Sequence, residues 1–314
     1  MSTPRFAPPK LIATAVRRDY TPGGDPPQTE SQGGLFTVDF ATREVRQLVD
    51  WSSPEVDFRG RGLVFHGDEI YVAARSEVFV YGRDLRIRRS YQSSYLDDCG
   101  GAFRMNDHLY LLSAANDCIL AFDLRLQTFF RGLHLAPGGA AGVCRTFDPL
   151  GIDGPGGAGG PPVENRLGLN SIRADRRGLF VSGARTGGLL YLRGNGTLER
   201  AVELPEGSHD ARPFRDGVLF NDTAAGAVRF ASRSGEERAF VMPVAESEAE
   251  AGPMPTDRPY ARGLCALDEY RFAAGSSPAT ISLYDLEAGS RVASVRFFDD
   301  HRYAIHALEV WPFG

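Results

Sequence analysis

Six positions spread along the chain occupy the same place in a recurring segment: Arg61, Gly100, Asn170, His209, Arg262 and His306. Five of them are polar, and each opens a run whose other residues are apolar. Two imidazoles and an amide suit a zinc, iron or manganese ion. Asp210 or Cys99 could complete the sphere, and an open position would leave a bound water acidic enough to attack or deprotonate. Two guanidiniums suit a different task, clamping a carboxylate or phosphate while His209 or His306 acts as acid or base. Both chemistries imply a small anionic substrate. Ser171 and Ser208 lie nearby, but without a G-x-S-x-G elbow neither reads as a nucleophile.

The segment that carries these residues is a β-hairpin. Its clearest copy is Arg61-Gly62-Leu63-Val64-Phe65-His66-Gly67-Asp68-Glu69-Ile70-Tyr71-Val72-Ala73, two apolar runs separated by an Asp/Gly turn. Further copies begin at Gly100, Asn170, His209 and Arg262, and a sixth at His306 is cut short by the C-terminus. One hairpin unit recurring at roughly 40–50 residues marks a propeller. The broken sixth copy needs partners. Leu11 to Val16, Gly34 to Phe40 and Val45 to Val49 supply three strands. The expectation is an all-β, six-bladed β-propeller of four-stranded blades, closed by N-terminal strands pairing with a C-terminal strand. In such a ring the first strand of each blade lines the central channel, so the six positions converge. Tyr260, Arg166 and His301 join the list as rim residues, because they stand in loops that lead into inner strands.

A single domain over residues 1–314 follows, since the two ends must meet. Residues 1–10 read as an arm. Residues 133–168 form a Gly/Pro-rich insertion placed to act as a lid, and 245–260 an acidic loop. The glycines of the insertion are followed by Pro161-Pro162 rather than a helix, which excludes a dinucleotide loop. Net charge of -5 argues against nucleic acid or an anionic membrane as partner. No apolar run approaches a membrane span or a signal peptide, so the expected location is cytoplasmic. Four cysteines lack paired spacing, and Lys10 is the sole lysine, far from the six positions. That excludes pyridoxal phosphate and Schiff-base chemistry there.

The cassette, the ring closure, Asn170-Ser171-Ile172 and His209-Asp210-Ala211 resemble the six-bladed superfamily of gluconolactonases, regucalcin and paraoxonases. That resemblance implies a divalent metal at the channel held by a Glu, an Asn and an Asp. Asn170 matches the asparagine, and Asp210 matches the aspartate. Blade one offers Arg61-Gly62 in place of the glutamate, which disfavours calcium against zinc, iron or manganese. With His209, His306 and Asn170 as ligands, the implied activity is a metal-assisted hydrolase, lyase or isomerase. Arg61, Arg262, Asn170, Cys99, Tyr260 and His301 would bind the substrate, with His209, His306 and Asp210 as catalytic groups. The competing class is a non-catalytic ligand-binding or protein-interaction propeller. The oligomeric state is open.

Overall fold

The computed structural model describes residues 7–17, 33–51, 61–136, 142–151, 153–157, 159–242, 260–300 and 302–313. The chain starts in the last blade, with β1 (Leu11–Arg17), β2 (Gly33–Asp39) and β3 (Glu44–Asp50). Blade one is β4 (Gly62–His66), β5 (Glu69–Ala73), β6 (Glu77–Tyr81) and β7 (Ile87–Gln92). Blade two is β8 (Cys99–Met105), β9 (His108–Ser113), β10 (Cys118–Asp123), β11 (Thr128–Ala136) and β12 (Val143–Phe147). Blade three is β13 (Leu169–Ala174), β14 (Gly178–Gly183), β15 (Gly188–Arg193) and β16 (Leu198–Glu203). Blade four is β17 (Ser208–Phe214), β18 (Gly217–Asp222), β19 (Ala227–Ser232) and β20 (Glu237–Val241). Blade five is β21 (Arg262–Ala266), β22 (Arg271–Ser276), β23 (Thr280–Asp285) and β24 (Ser290–Arg296), and β25 (Tyr303–Val310) completes blade six as the order β25-β1-β2-β3. Every pairing is antiparallel. No helix of the described residues is long and apolar enough to cross a membrane.

Ring closure is as expected from the truncated sixth hairpin. Leu11 pairs with Val310 and Arg17 with Tyr303, and Trp311 N–H donates to the Lys10 carbonyl at 2.9 Å. Each inner strand touches the next around the ring, including β25 against β4. Six apolar cores form among the described residues, one in each wedge between neighbouring blades. Middle strands are buried on both faces and read as unbroken apolar runs, as in Cys118–Phe122. Outer strands such as Ile87–Gln92 expose alternate residues and carry arginines that discourage edge pairing.

The aromatic-Asp-apolar ending of third strands has a local cause. Asp123 Oδ1 accepts the Arg125 and Leu126 N–H groups at 2.8 Å each, and Asp285 Oδ1 accepts the Ala288 N–H at 2.9 Å. Each carboxylate thus satisfies the turn's backbone donors. The next residue, Leu124 or Leu286, is buried in the wedge below.

Part of the insertion is strand rather than loop. Leu133 to Ala136 extends β11, and Val143–Phe147 pairs with it as a fifth strand found in no other sheet of the described residues. The remainder is pinned to the rim. Tyr95 O–H donates to the Gly154 carbonyl at 3.1 Å, and the Glu164 and Asn165 N–H groups donate to the Ala115 carbonyl at 3.0 and 3.1 Å. The Asp117 carboxylate accepts the Arg166 and Leu167 N–H groups at 2.6 and 3.0 Å. None of its described residues lines the channel cavity. Residues 1–6, most of the acidic loop and His301 lie outside the described residues.

Candidate functional site

Five of the six inner strands shift register near the channel mouth. Gly100 in β8, Asn170 in β13, Gly263 in β21 and His306 in β25 each lack an opposing partner, and in β17 Asp210 and Ala211 face a single residue. Each is a β-bulge, a device that bends a strand and re-aims a side chain. In blades four and five the bulge falls one residue later than the hairpin alignment implies. Asp210 and Gly263 therefore take the channel position, with left-handed φ values of 56° and 72°. His209 and Arg262 stand one residue back.

The channel cavity is lined by Arg61, Asn170, Asp210 and His306, and deeper by Arg173, Arg212 and Glu309. Its volume is about 30 Å³. That is room for one or two waters, not for an organic molecule. Arg173 pairs with Glu309 at 3.6 Å, and Arg212 donates to the Leu264 carbonyl. Burial pushes the Arg212 guanidinium down to about 10, and Arg173 beside it adds to the effect. This deeper trio was missed because only the first position of each inner strand was compared. The signal was present as an arginine three residues further on, in Asn170-Ser171-Ile172-Arg173 and in His209-Asp210-Ala211-Arg212.

Asn170 and His209 hold two blades together. Asn170 Nδ2 donates to the Ser208 carbonyl at 2.9 Å and lies 2.7 Å from His209 Nδ1, while Ser182 O–H donates to Asn170 Oδ1 at 3.2 Å. A carbonyl can only accept, so Nδ2 faces Ser208, and His209 Nδ1 must then be an acceptor. The imidazole is consequently neutral and carries its proton on Nε2. Burial, reinforced by the positive charges of Arg262 and then Arg61, drives its pKa down to about 2. The wedge between blades three and four has the smallest apolar core of the six, so this polar junction stands where packing is thinnest.

Asp210 makes the corresponding link between blades four and five. Its Oδ2 accepts the Asn221 side-chain N–H and the Gly263 backbone N–H, each at 3.0 Å. Arg61 is paired with Asp98 at 2.6 Å across the first wedge. Arg262 stacks over the Tyr260 ring at 4.5 Å, and that ring lies 6.5 Å from the His209 ring. Cys99 is fully buried in the core between blades one and two, where burial pushes its thiol up to about 12. It packs in that core and does not line the channel cavity. The structure therefore brings Arg61, Asn170, His209, Asp210, Tyr260, Arg262 and His306 to one end of the channel and leaves Cys99 out.

Most of the donors a divalent metal would use are engaged within the protein. Among the described residues no three His, Cys, Asp or Glu side chains come together. The Asn170 oxygen and His209 Nδ1 are taken by protein partners, Asp210 is engaged by two N–H groups, and two guanidiniums bear on the imidazole. The charges at the mouth are mixed, two guanidiniums beside the Asp98 and Asp210 carboxylates.

No protein-family model and no curated protein sequence matches the chain. Solved structures do. A protein of unknown function from Bacteroides caccae is similar at 12% identity, covering 96% of this chain and 98% of that one, with a TM-score of 0.58. A chain of a nidogen/laminin complex is similar at 8% identity, covering 95% and 97%, with a TM-score of 0.57. At these identities the likeness is one of fold, and it supports the six-bladed propeller.

Proposed function

We propose that this propeller binds a small anion at its channel mouth, holding a carboxylate or phosphate head between Arg61 and Arg262, and that it does so without catalysing a reaction. The observation that carries this reading is the placement of Arg61 and Arg262 around the buried His209–Asn170 junction, with Arg61 lining the cavity and Arg262 stacked on Tyr260 beside the His209 ring. Charge-assisted hydrogen bonds from two guanidiniums to an anion are strong, and Arg61 would share its charge between the ligand and Asp98. His209 adds its Nε2 proton as a neutral donor. With a pKa near 2 it is too weak a base for proton transfer at neutral pH. Asp210 is occupied in joining blades, which weighs against a catalytic role. The narrow cavity below admits water or one small ion, so the body of a larger ligand would stand above the mouth.

A second reading, a hydrolase, lyase or isomerase, rests on His306, which lines the cavity together with Asp210. The two readings separate in a thermal-shift series with phosphate, sulfate, acetate and citrate at constant ionic strength. Binding predicts a rise in Tm for at least one anion, reduced in Arg61→Gln and abolished in the Arg61→Gln/Arg262→Gln double variant, with the anion recovered unchanged. No rise above matched chloride, or a rise that survives the double variant, would overturn the proposal.

A further inference from the structure

Blade two departs from the repeat, and the departure builds a second cavity. It has a volume of about 480 Å³ and lies between blades two and three. Met105 and His108 flank the first hairpin turn of blade two, and Arg176-Arg177 form that of blade three. The cavity therefore sits toward the face opposite the channel mouth. Its size falls within the range that holds drug-sized molecules. Cys144 and Thr146 of β12 line it, so the extra strand supplies one wall.

The lining has two chemistries. Tyr110, Phe130, Leu133, Leu179 and Leu192 provide apolar surface, and Phe130 keeps 45% of its area exposed despite its size. Around them stand Arg131, Arg176 and Arg177. Among the described residues none of these three side chains forms a hydrogen bond or an ion pair, whereas Arg193 beside them pairs with Glu199 at 2.7 Å. The lining carboxylate, Asp175, already accepts the Arg177 and Gly178 N–H groups and the Tyr191 O–H. Three guanidiniums outside any ion pair of the described residues, facing one carboxylate (Asp175) beside an aromatic wall, match a ligand with a flat apolar body and an anionic head.

We propose that this interblade cavity is a binding site for a small organic anion of that kind, an aromatic carboxylate, sulfonate or phosphate. The head is held by Arg131, Arg176 and Arg177, and the body lies against Tyr110 and Phe130. Cys144 provides a built-in reporter. It is half-buried in the cavity wall, while Cys99, Cys118 and Cys265 are buried elsewhere.

The probe is 8-anilinonaphthalene-1-sulfonate, titrated by fluorescence into the full chain while alkylation of Cys144 is timed. The proposal expects saturable one-to-one binding, slower Cys144 alkylation at saturation, and binding weakened about a hundredfold in Arg131→Glu/Arg176→Glu, roughly tenfold for each charge reversed. These arginines are exposed, so the variant retains its packing. The uncharged analogue N-phenyl-1-naphthylamine should bind distinctly more weakly than the sulfonate. Unchanged dye affinity in the charge-reversed variant, equal affinity for the uncharged analogue, or Cys144 alkylated at the same rate with dye bound would each overturn it.

Discussion

Acidification should weaken this fold through one histidine, by an amount that follows from where His209 lies. In the native state burial and two guanidiniums hold its pKa near 2, so the imidazole stays neutral down through pH 5. In the unfolded chain it titrates near the ordinary 6.5. Below that value the unfolded state binds a proton that the native state refuses, and stability falls by about 1.4 kcal/mol per pH unit. Above it His209 contributes no pH dependence. From pH 7.5 to pH 5.0 the loss is about 2 kcal/mol, and this figure requires only that the folded pKa lie well below 5. For a chain of 314 residues that corresponds to about 3 °C in Tm. His134, whose pKa burial also lowers, and the carboxylates change stability over the same range. The assay therefore compares wild type with His209→Gln, which keeps an acceptor for Asn170 and cannot be protonated. The gap between their melting temperatures should shift by about 3 °C across the two pH values, in the direction of a relatively less stable wild type at pH 5.0. A gap that does not change with pH would mean that His209 titrates normally in the fold, and the buried junction would have to be abandoned.

Two further outcomes follow from the same contacts. Asn170→Ala strips hydrogen bonds from the Ser208 carbonyl, the Ser182 hydroxyl and His209 Nδ1, all buried, and should destabilise by about 3 kcal/mol in urea unfolding. A loss under about 0.5 kcal/mol would show that the junction is replaced by water. Thr14 Oγ1 accepts the Ala307 N–H at 2.9 Å, at the bulge in the closing strand pair. Thr14→Val keeps the shape but leaves that donor unmet, and the same assay should show a loss of about 1–3 kcal/mol.

The propeller was legible because each blade repeats one hairpin. The closure was legible because the His306 copy lacked partners that Leu11 to Val16 could supply. The bulges were not. Counting back from second-strand residues such as Leu219 and Phe272 assumes one residue opposite each partner. In blades two and three the bulged residue stands three before the residue that faces Tyr110 or Phe180, whereas in blade four it stands two before Arg212, so a fixed offset from Leu219 lands on His209 when the channel position is Asp210. In blade five the hairpin is one residue shorter, Phe272 facing Ala266, so the same offset from Phe272 lands on Arg262 in place of Gly263. A one-residue bulge leaves no mark on apolar periodicity in so short a strand. Val143–Phe147 was hidden for a different reason: five strand residues sit among glycines and prolines that read as loop. Cys99 sits away from the channel because its neighbour Gly100 faces the axis, and alternation along the strand turns the thiol into the core.

The anion site itself is tested most directly by diffraction from crystals soaked in bromide, read by anomalous scattering. The proposal predicts a strong peak at the channel mouth within hydrogen-bonding reach of Arg61 and Arg262, lost in the Arg61→Gln/Arg262→Gln variant. Bromide scattered over other arginines, with nothing at the mouth, would contradict it.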